Sequence, residues 1–251
     1  MFFLIQYARV IHAIRRFLSR KGLLTRLDRW AKRSRWGLWF RSIFSVLDFR
    51  DFITLETPWW TLRSGRRVSD FLASSTSPRA LEWGSGASTV WLAGLCEEVV
   101  SIESDTEWAH HVASSIPSHV TLITPDIPLA IASSTIRSKR WGFQRLDFAG
   151  YVNAIDRVEG DFDLIVIDGR AREACFEKAL GRLAPGGMIL FDNTNRRRYR
   201  RALARHQERI VISRDIGLTP IVPWPTETSI IRLAPSYAAS ADTEVAATSS
   251  R

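Results

Sequence analysis

Cysteine is scarce in this chain: only Cys96 and Cys175 occur in 251 residues, both in predicted helices. Two thiols make neither a disulfide framework nor a metal cluster, and their use suits a reduced, cytoplasmic setting. Also missing is an apolar run long enough to cross a bilayer, because Arg9 interrupts the N-terminal one. That segment does not read as a signal peptide either, since its charges follow the apolar stretch and no small-residue cleavage site appears. Acids are nearly absent from residues 1–50, which hold 12 Lys and Arg against Asp28 and Asp48. The remainder holds 23 against 24, so the net charge of +9 belongs to the N-terminal segment and says nothing about the rest. What the chain does have is 45% hydrophobic residues and ten tryptophans, enough for a real core.

Residues 1–56 read as a basic, amphipathic helical extension. Phe3, Tyr7, Val10, Ile11, Ile14, Phe17 and Leu18 fall on one helical face, with Gln6, Arg9, Arg16 and Arg20 opposite. A second basic and aromatic segment follows, with Trp30, Lys32, Arg33, Arg35, Trp36, Trp39 and Phe40. Two occupants suit these faces: an anionic membrane surface contacted by residues 1–40, or the chain's own domain or a second subunit in a homodimer. The first would put a cytoplasmic protein at the inner membrane face. Nucleic acid finds no motif here, and basic residues alone bind it only non-specifically.

From residue 57 to 234, short apolar runs alternate with amphipathic ones. Strands are expected at Ala80–Trp83, Val99–Glu103, Val120–Thr124, Phe162–Asp168 and Met188–Asp192, with Ile210–Ser213 and Ser229–Leu233 as a closing pair. Helices are expected between them at Ser88–Cys96, Asp105–Ser115, Phe148–Val158, Ala171–Leu183 and Arg196–Gln207. Residues 125–145 have no strong period, and 235–251 are small and polar, the composition of a disordered tail. This order predicts an α/β fold, a doubly wound, mostly parallel seven-stranded Rossmann-like sheet preceded by the helical extension. Ligands bind such sheets at the carboxyl ends of the strands. Gly84, Glu103, Asp126, Asp168 and Asp192 all stand there in the predicted order.

The most specific stretch is Glu82-Trp83-Gly84-Ser85-Gly86-Ala87-Ser88-Thr89, a strand breaking at two glycines and opening into a helix. Glycine there is expected to let a ligand approach the backbone. The third glycine of a dinucleotide fingerprint would fall at position 89, which is Thr89, and Glu82 would repel a pyrophosphate. S-adenosylmethionine (SAM) fits better, with its sulfonium, its ammonium and a ribose diol for Glu103.

On these residues the chain resembles the class I SAM-dependent methyltransferases over roughly residues 57–233. The glycine loop is similar to their first motif, Glu103 to the ribose-binding acid of their second, and Asp168-Gly169 and Phe191-Asp192-Asn193 to their fourth and fifth strand ends. The run from Pro58-Trp59 through Ile167-Asp168-Gly169-Arg170 to Gly186-Gly187 resembles a subgroup of small bacterial enzymes of the methyltransferase-24, macrocin and catechol O-methyltransferase types. The resemblance implies methyl transfer to a small molecule, at oxygen, with Asp168 as the catalytic residue. It implies a cofactor pocket made of Glu82, Gly84, Ser85, Gly86, Ser88, Thr89, Glu103 and Asp126. It also implies a Mg²⁺ site from Asp168, Asp192 and Asn193, all oxygen ligands with open positions for water. Two alternatives stay open. Asp168 and Asn193 also suit turns and caps, and the domain as a whole could be an inactive, membrane-held binding module. Arg170 and Arg172 stand where the catechol type has a lysine.

His110, His111 and Trp108 are expected to pack rather than react. Trp141 and Tyr151 suit either a substrate lid or aromatic core. Arg196, Arg197, Arg198, Arg200 and Arg201 suit a solvated helix face, with attraction of an acidic substrate as the alternative.

Overall fold

The computed structural model describes residues 2–139 and 141–235, and side chains from residue 6 onward. The expected tail therefore lies outside the described residues, apart from Pro235.

Seven strands form one sheet: β1 Arg79–Trp83, β2 Glu98–Ile102, β3 Val120–Ile123, β4 Phe162–Ile167, β5 Leu183–Asp192, β6 Ile210–Gly217 and β7 Thr226–Leu233. Their order across the sheet is β3-β2-β1-β4-β5-β7-β6. β1 to β5 run parallel, while β7 is antiparallel to both β5 and β6. The sheet is thus the mostly parallel Rossmann-like one expected.

The inner strands β1, β2, β4, β5 and β7 are mostly buried, and their alternation divides the core. Leu81, Trp83, Ile165, Ile167, Ile189 and Phe191 share one cluster with Phe148, Tyr151 and Phe176. Ala80, Leu164, Val166 and Leu190 share another with Trp60, Val68, Leu72 and Leu92. The first is covered by the helices Ala149–Val152 and Arg172–Leu180, the second by Leu62–Leu72 and Ala87–Ala93. Burial of this kind contributes roughly 25 cal/mol per Å² of apolar surface and dominates the stability of the domain.

Two expected elements differ. Phe148–Val158 is not one helix but a single α-turn followed by a 3₁₀ segment at Asn153–Arg157. Pro185-Gly186-Gly187 does not end a helix; β5 already begins at Leu183 and passes through it. The register shifts there, from Phe162 opposite Leu183 to Leu164 opposite Met188. Gly186 takes φ 76°, and a Cβ on Gly187 would lie 2.8 Å from the Ala184 carbonyl, so a bulge forms where the sequence suggests a stop.

The extension consists of α1 Phe2–Arg20, α2 Leu23–Ala31, α3 Arg35–Ile43 and α4 Phe49–Ile53. Gly22, at φ 66°, turns the chain between the first two. Arg41 is buried and clamps the extension together, reaching Asp28 at 2.6 Å and Asp51 at 2.9 Å. Trp39 donates its indole N–H to the Val222 carbonyl at 2.8 Å, and the Ile221 N–H donates to Ser42 Oγ at 2.8 Å. The extension therefore docks on the domain at the β6–β7 connection. No helix among the described residues is long and apolar enough to cross a membrane.

Candidate cofactor and active site

The site is built at the carboxyl ends of β1, β2, β4 and β5. β1 ends where Gly84 and Gly169, the latter following β4, come into backbone contact. Gly84 takes φ 104°, and a Cβ on it would lie 2.7 Å from Gly169 Cα. Gly84 is therefore required by another stretch of the protein's own backbone, a reason for glycine beside the expected approach of a ligand. Gly86 fits that expectation better, since a Cβ built there meets nothing within 4 Å.

Beneath the loop lies Glu82, fully buried, whose carboxylate accepts Ser88 Oγ at 2.7 Å, Ser101 Oγ at 2.8 Å and the Thr89 hydroxyl. Thr89 Oγ1 also accepts the Gly86 N–H at 2.8 Å, and Ser85 Oγ lies 2.8 Å from Ser101 Oγ. The threonine in place of a third glycine thus has a task that needs its hydroxyl: it joins the loop backbone to a buried acid. Burial pushes the Glu82 carboxyl up to about 7, against the pull of its hydroxyl donors. Glu82, Ser88 and Thr89 turn their polar groups towards one another and hold the loop from below.

Glu103 stands one residue past β2. Its Oε1 accepts the Ser104 and Asp105 N–H groups at 2.6 and 2.9 Å, and Oε2 accepts the Ser85 N–H at 3.0 Å. With a single N–H on Oε2, that oxygen keeps a lone pair for a hydroxyl donor such as a ribose. Asp126 is exposed beyond β3, at the same edge of the sheet. These residues fit SAM on two counts: open space at Gly86, and a carboxylate fixed by three backbone donors at the next strand end.

The adjacency of β4 and β5 brings Asp168, Asp192 and Asn193 together, as expected. What lies between them is Arg172, four residues after Asp168 and 8% exposed. Its guanidinium reaches Asp168 Oδ1 at 2.6 Å, Asp192 Oδ2 at 3.8 Å and the Asp192 carbonyl at 2.7 Å. Asp192 also accepts the Thr228 hydroxyl at 2.8 Å and the Asn193 side-chain amide. Asn193 is left-handed at φ 60°, a turn conformation that asparagine tolerates. This set does not fit a divalent cation. The two carboxylates already share an organic cation, the guanidinium of Arg172. Nor do the described residues contain any group of three His, Cys, Asp or Glu arranged to hold a metal. The Mg²⁺ reading gains no support from this arrangement, in which Arg172 stands between the carboxylates. Burial pushes Asp192 up to about 7, with the charge of Asp168 adding to it. Burial also raises Asp168, against the pull of Arg172, yet its side chain keeps 24% of its surface accessible.

The remaining candidates resolve plainly. Tyr151 is core, its ring buried and its hydroxyl beside Gly169, whereas Trp141 is exposed. His111 packs between Phe49 and Trp108, with ring centroids 5.2 and 5.5 Å away. Arg200 pairs with the buried Glu227 at 2.9 Å, and Arg196, Arg197 and Arg201 are exposed. Burial pushes the Cys96 thiol up to about 12 and Cys175 well upward, so neither is a nucleophile. Sequence reasoning named two contributors without their roles. Arg172 was set only against the lysine of the catechol type, and nothing local placed it between two carboxylates. Trp108 donates its indole N–H to the Ser85 carbonyl at 2.9 Å and meets Phe49 of α4 at 5.4 Å, tying the extension to the glycine loop. No local pattern signals that long-range contact.

Residues 81–194 match the family model described as Methyltransferase domain, of the methyltransferase-24 type. That stretch of the chain is similar to the methyltransferase domain, and the match spans just under half of the residues. The matched segment begins on β1 and ends just past Asn193, so it contains the glycine loop, Glu103 and the Asp168–Arg172–Asp192 cluster. An O-methyltransferase from Bacillus cereus, solved in complex with S-adenosylhomocysteine (SAH), shares the fold of this chain at TM-score 0.52 and 19% identity. That match covers 77% of this chain and 90% of the other. A methyltransferase-like protein from Silicibacter pomeroyi aligns at TM-score 0.47 and 22% identity, over 68% of this chain and 87% of that one. No curated protein matches the sequence.

Proposed function

We propose that this methyltransferase domain transfers the methyl group of SAM to an oxygen of a small molecule, without a divalent cation. The observation that carries the proposal is the meeting of three features at one sheet edge: the open approach at Gly86, the free lone pair of Glu103, and the partly accessible Asp168. On this reading the backbone of Gly84, Ser85 and Gly86 lies along the methionine moiety. Glu103 receives the ribose hydroxyls, and Asp126 meets the adenine amino group. Bound SAM supplies an electrophilic methyl on a cationic sulfur, an excellent leaving group. The protein's share is then alignment of the acceptor and removal of its proton. Asp168 is the group placed to take that proton. Burial makes it more basic than an ordinary carboxylate, while Arg172 holds it in one orientation. Arg172 supplies the positive charge that a metal would bring to such a cluster.

Release of SAH over a panel of hydroxylated metabolites tests this reading. Turnover of at least one acceptor, unchanged by chelator and lost in Asp168→Asn, is the expected outcome. Turnover abolished by chelator and restored by Mg²⁺ would overturn the metal-free mechanism. Tight SAM binding with no turnover over the panel would favour a domain that binds without chemistry.

A further inference from the structure

α1 is attached to the protein by the wrong face for a soluble amphipathic helix. Its docked side is mixed: Ala8 is buried, Ile11 and Leu18 are half-buried, His12 Nε2 lies 2.7 Å from the Val46 carbonyl, and Arg15 reaches Asp48 at 2.6 Å and Asp51 at 2.8 Å. Its outer side carries Tyr7, Val10, Ile14 and Phe17, which are 41%, 59%, 42% and 57% exposed. The spacing 7, 10, 14, 17 makes one continuous apolar stripe, about 15 Å long at the helical rise. An ordinary surface helix buries such a stripe and leaves its charges outside.

The charges around the stripe have one sign. Apart from Arg15 and Arg41, the ten Lys and Arg of residues 1–50 are all exposed, and none has an ion pair among the described residues. Arg26, Arg29 and Arg33 gather around the exposed ring of Trp30, a residue type suited to the water–lipid boundary.

We propose that α1 and the basic residues beside it form a docking surface for an anionic lipid bilayer, on which the helix lies in the interface plane. A second copy of the chain would bring like-charged surfaces together across an isologous contact, which these cations oppose. Nucleic acid would satisfy the cations and leave the apolar stripe in water. An anionic bilayer interface receives both, the stripe among the acyl chains and the cations among the headgroups.

Flotation of the full chain with phosphatidylcholine vesicles, with and without phosphatidylserine, tests the proposal. The chain is expected to float with the anionic vesicles, and the double variant Val10→Asp, Phe17→Asp to bind them at least about tenfold more weakly at an unchanged melting temperature. Three outcomes would overturn it: no flotation of the wild type, equal binding by wild type and variant, or a dimer that the variant dissolves while wild-type flotation is absent. Because both residues are exposed, misfolding is not expected, and the single variant Phe17→Ser supplies a milder check in the same direction.

Discussion

The two parts of the chain solve the problem of apolar surface in opposite ways. In the sheet domain apolar side chains face inward from both sides of the sheet, and the site edge gathers Glu82, Glu103 and the Asp168–Arg172–Asp192 cluster, with Asp215 and Glu227 buried elsewhere against Arg67 and Arg200. In the extension four charges face inward, with Arg15, Arg41, Asp48 and Asp51 holding the helices together, while Tyr7, Val10, Ile14 and Phe17 face out beside cations with no ion pair among the described residues. A buried charge cluster marks a site in one region and a fastening in the other. Inverted amphipathicity, not charge alone, distinguishes a surface awaiting a partner from an ordinary solvated face.

Removing the cation from each cluster should separate the two most sharply. Arg172→Ala leaves two carboxylates facing each other in a dry site and should destabilise the domain by about 3–5 kcal/mol, measured by urea unfolding. Gly84→Ala should follow at about 3 kcal/mol, since it needs both a strained φ and a Cβ inside Gly169. Gly86→Ala, with open space around it, should leave stability nearly unchanged and act on SAM binding instead.

Acidity should move the two regions in opposite directions. Burial holds Glu82 and Asp192 up to about 7, so the native state binds protons that the unfolded chain has already lost. Their contribution therefore favours the fold at low pH and weakens as pH rises from about 4.5 to about 7, a slope that Glu82→Gln should flatten in urea titrations. Asp48 and Asp51 behave inversely. Burial alone would raise them, but the Asp51 N–H and Arg15 on Asp48, and Arg41 and Ser45 on Asp51, hold both below the ordinary range. Their contribution is complete above about pH 4 and is lost as pH falls through the folded values. Hydrogen exchange in α1, corrected for intrinsic rates, should accelerate there while the amides of β4 and β5 stay protected. The smallest expected effect is that of Val10→Asp, within about 0.5 kcal/mol of wild type because the side chain is already in water.

Much of this arrangement was legible in the residues. The buried run Phe162–Ile167 and the break at Gly84 placed the central strands and their site edge, because continuous apolar runs and glycine turns are local signals. The bulge at Pro185–Gly187 was not, since proline and glycine mark a break without saying whether a strand resumes. Arg172 stood in plain sight as a charged residue on a helix, but its place between two carboxylates depends on the pairing of β4 with β5. The face by which α1 docks could not be read from its periodicity. It is decided by His12, Arg15 and their partners more than thirty residues away.

The central claim is that the loop at Gly84–Gly86 and the carboxylate of Glu103 form one SAM pocket. Calorimetric titration of the full chain with SAH, beside Glu103→Ala, tests it most directly. The account predicts a single site in the wild type and at least about tenfold weaker binding in the variant, which loses the ribose contacts. Absence of binding by the folded wild type, or equal affinity in the two proteins, would contradict it.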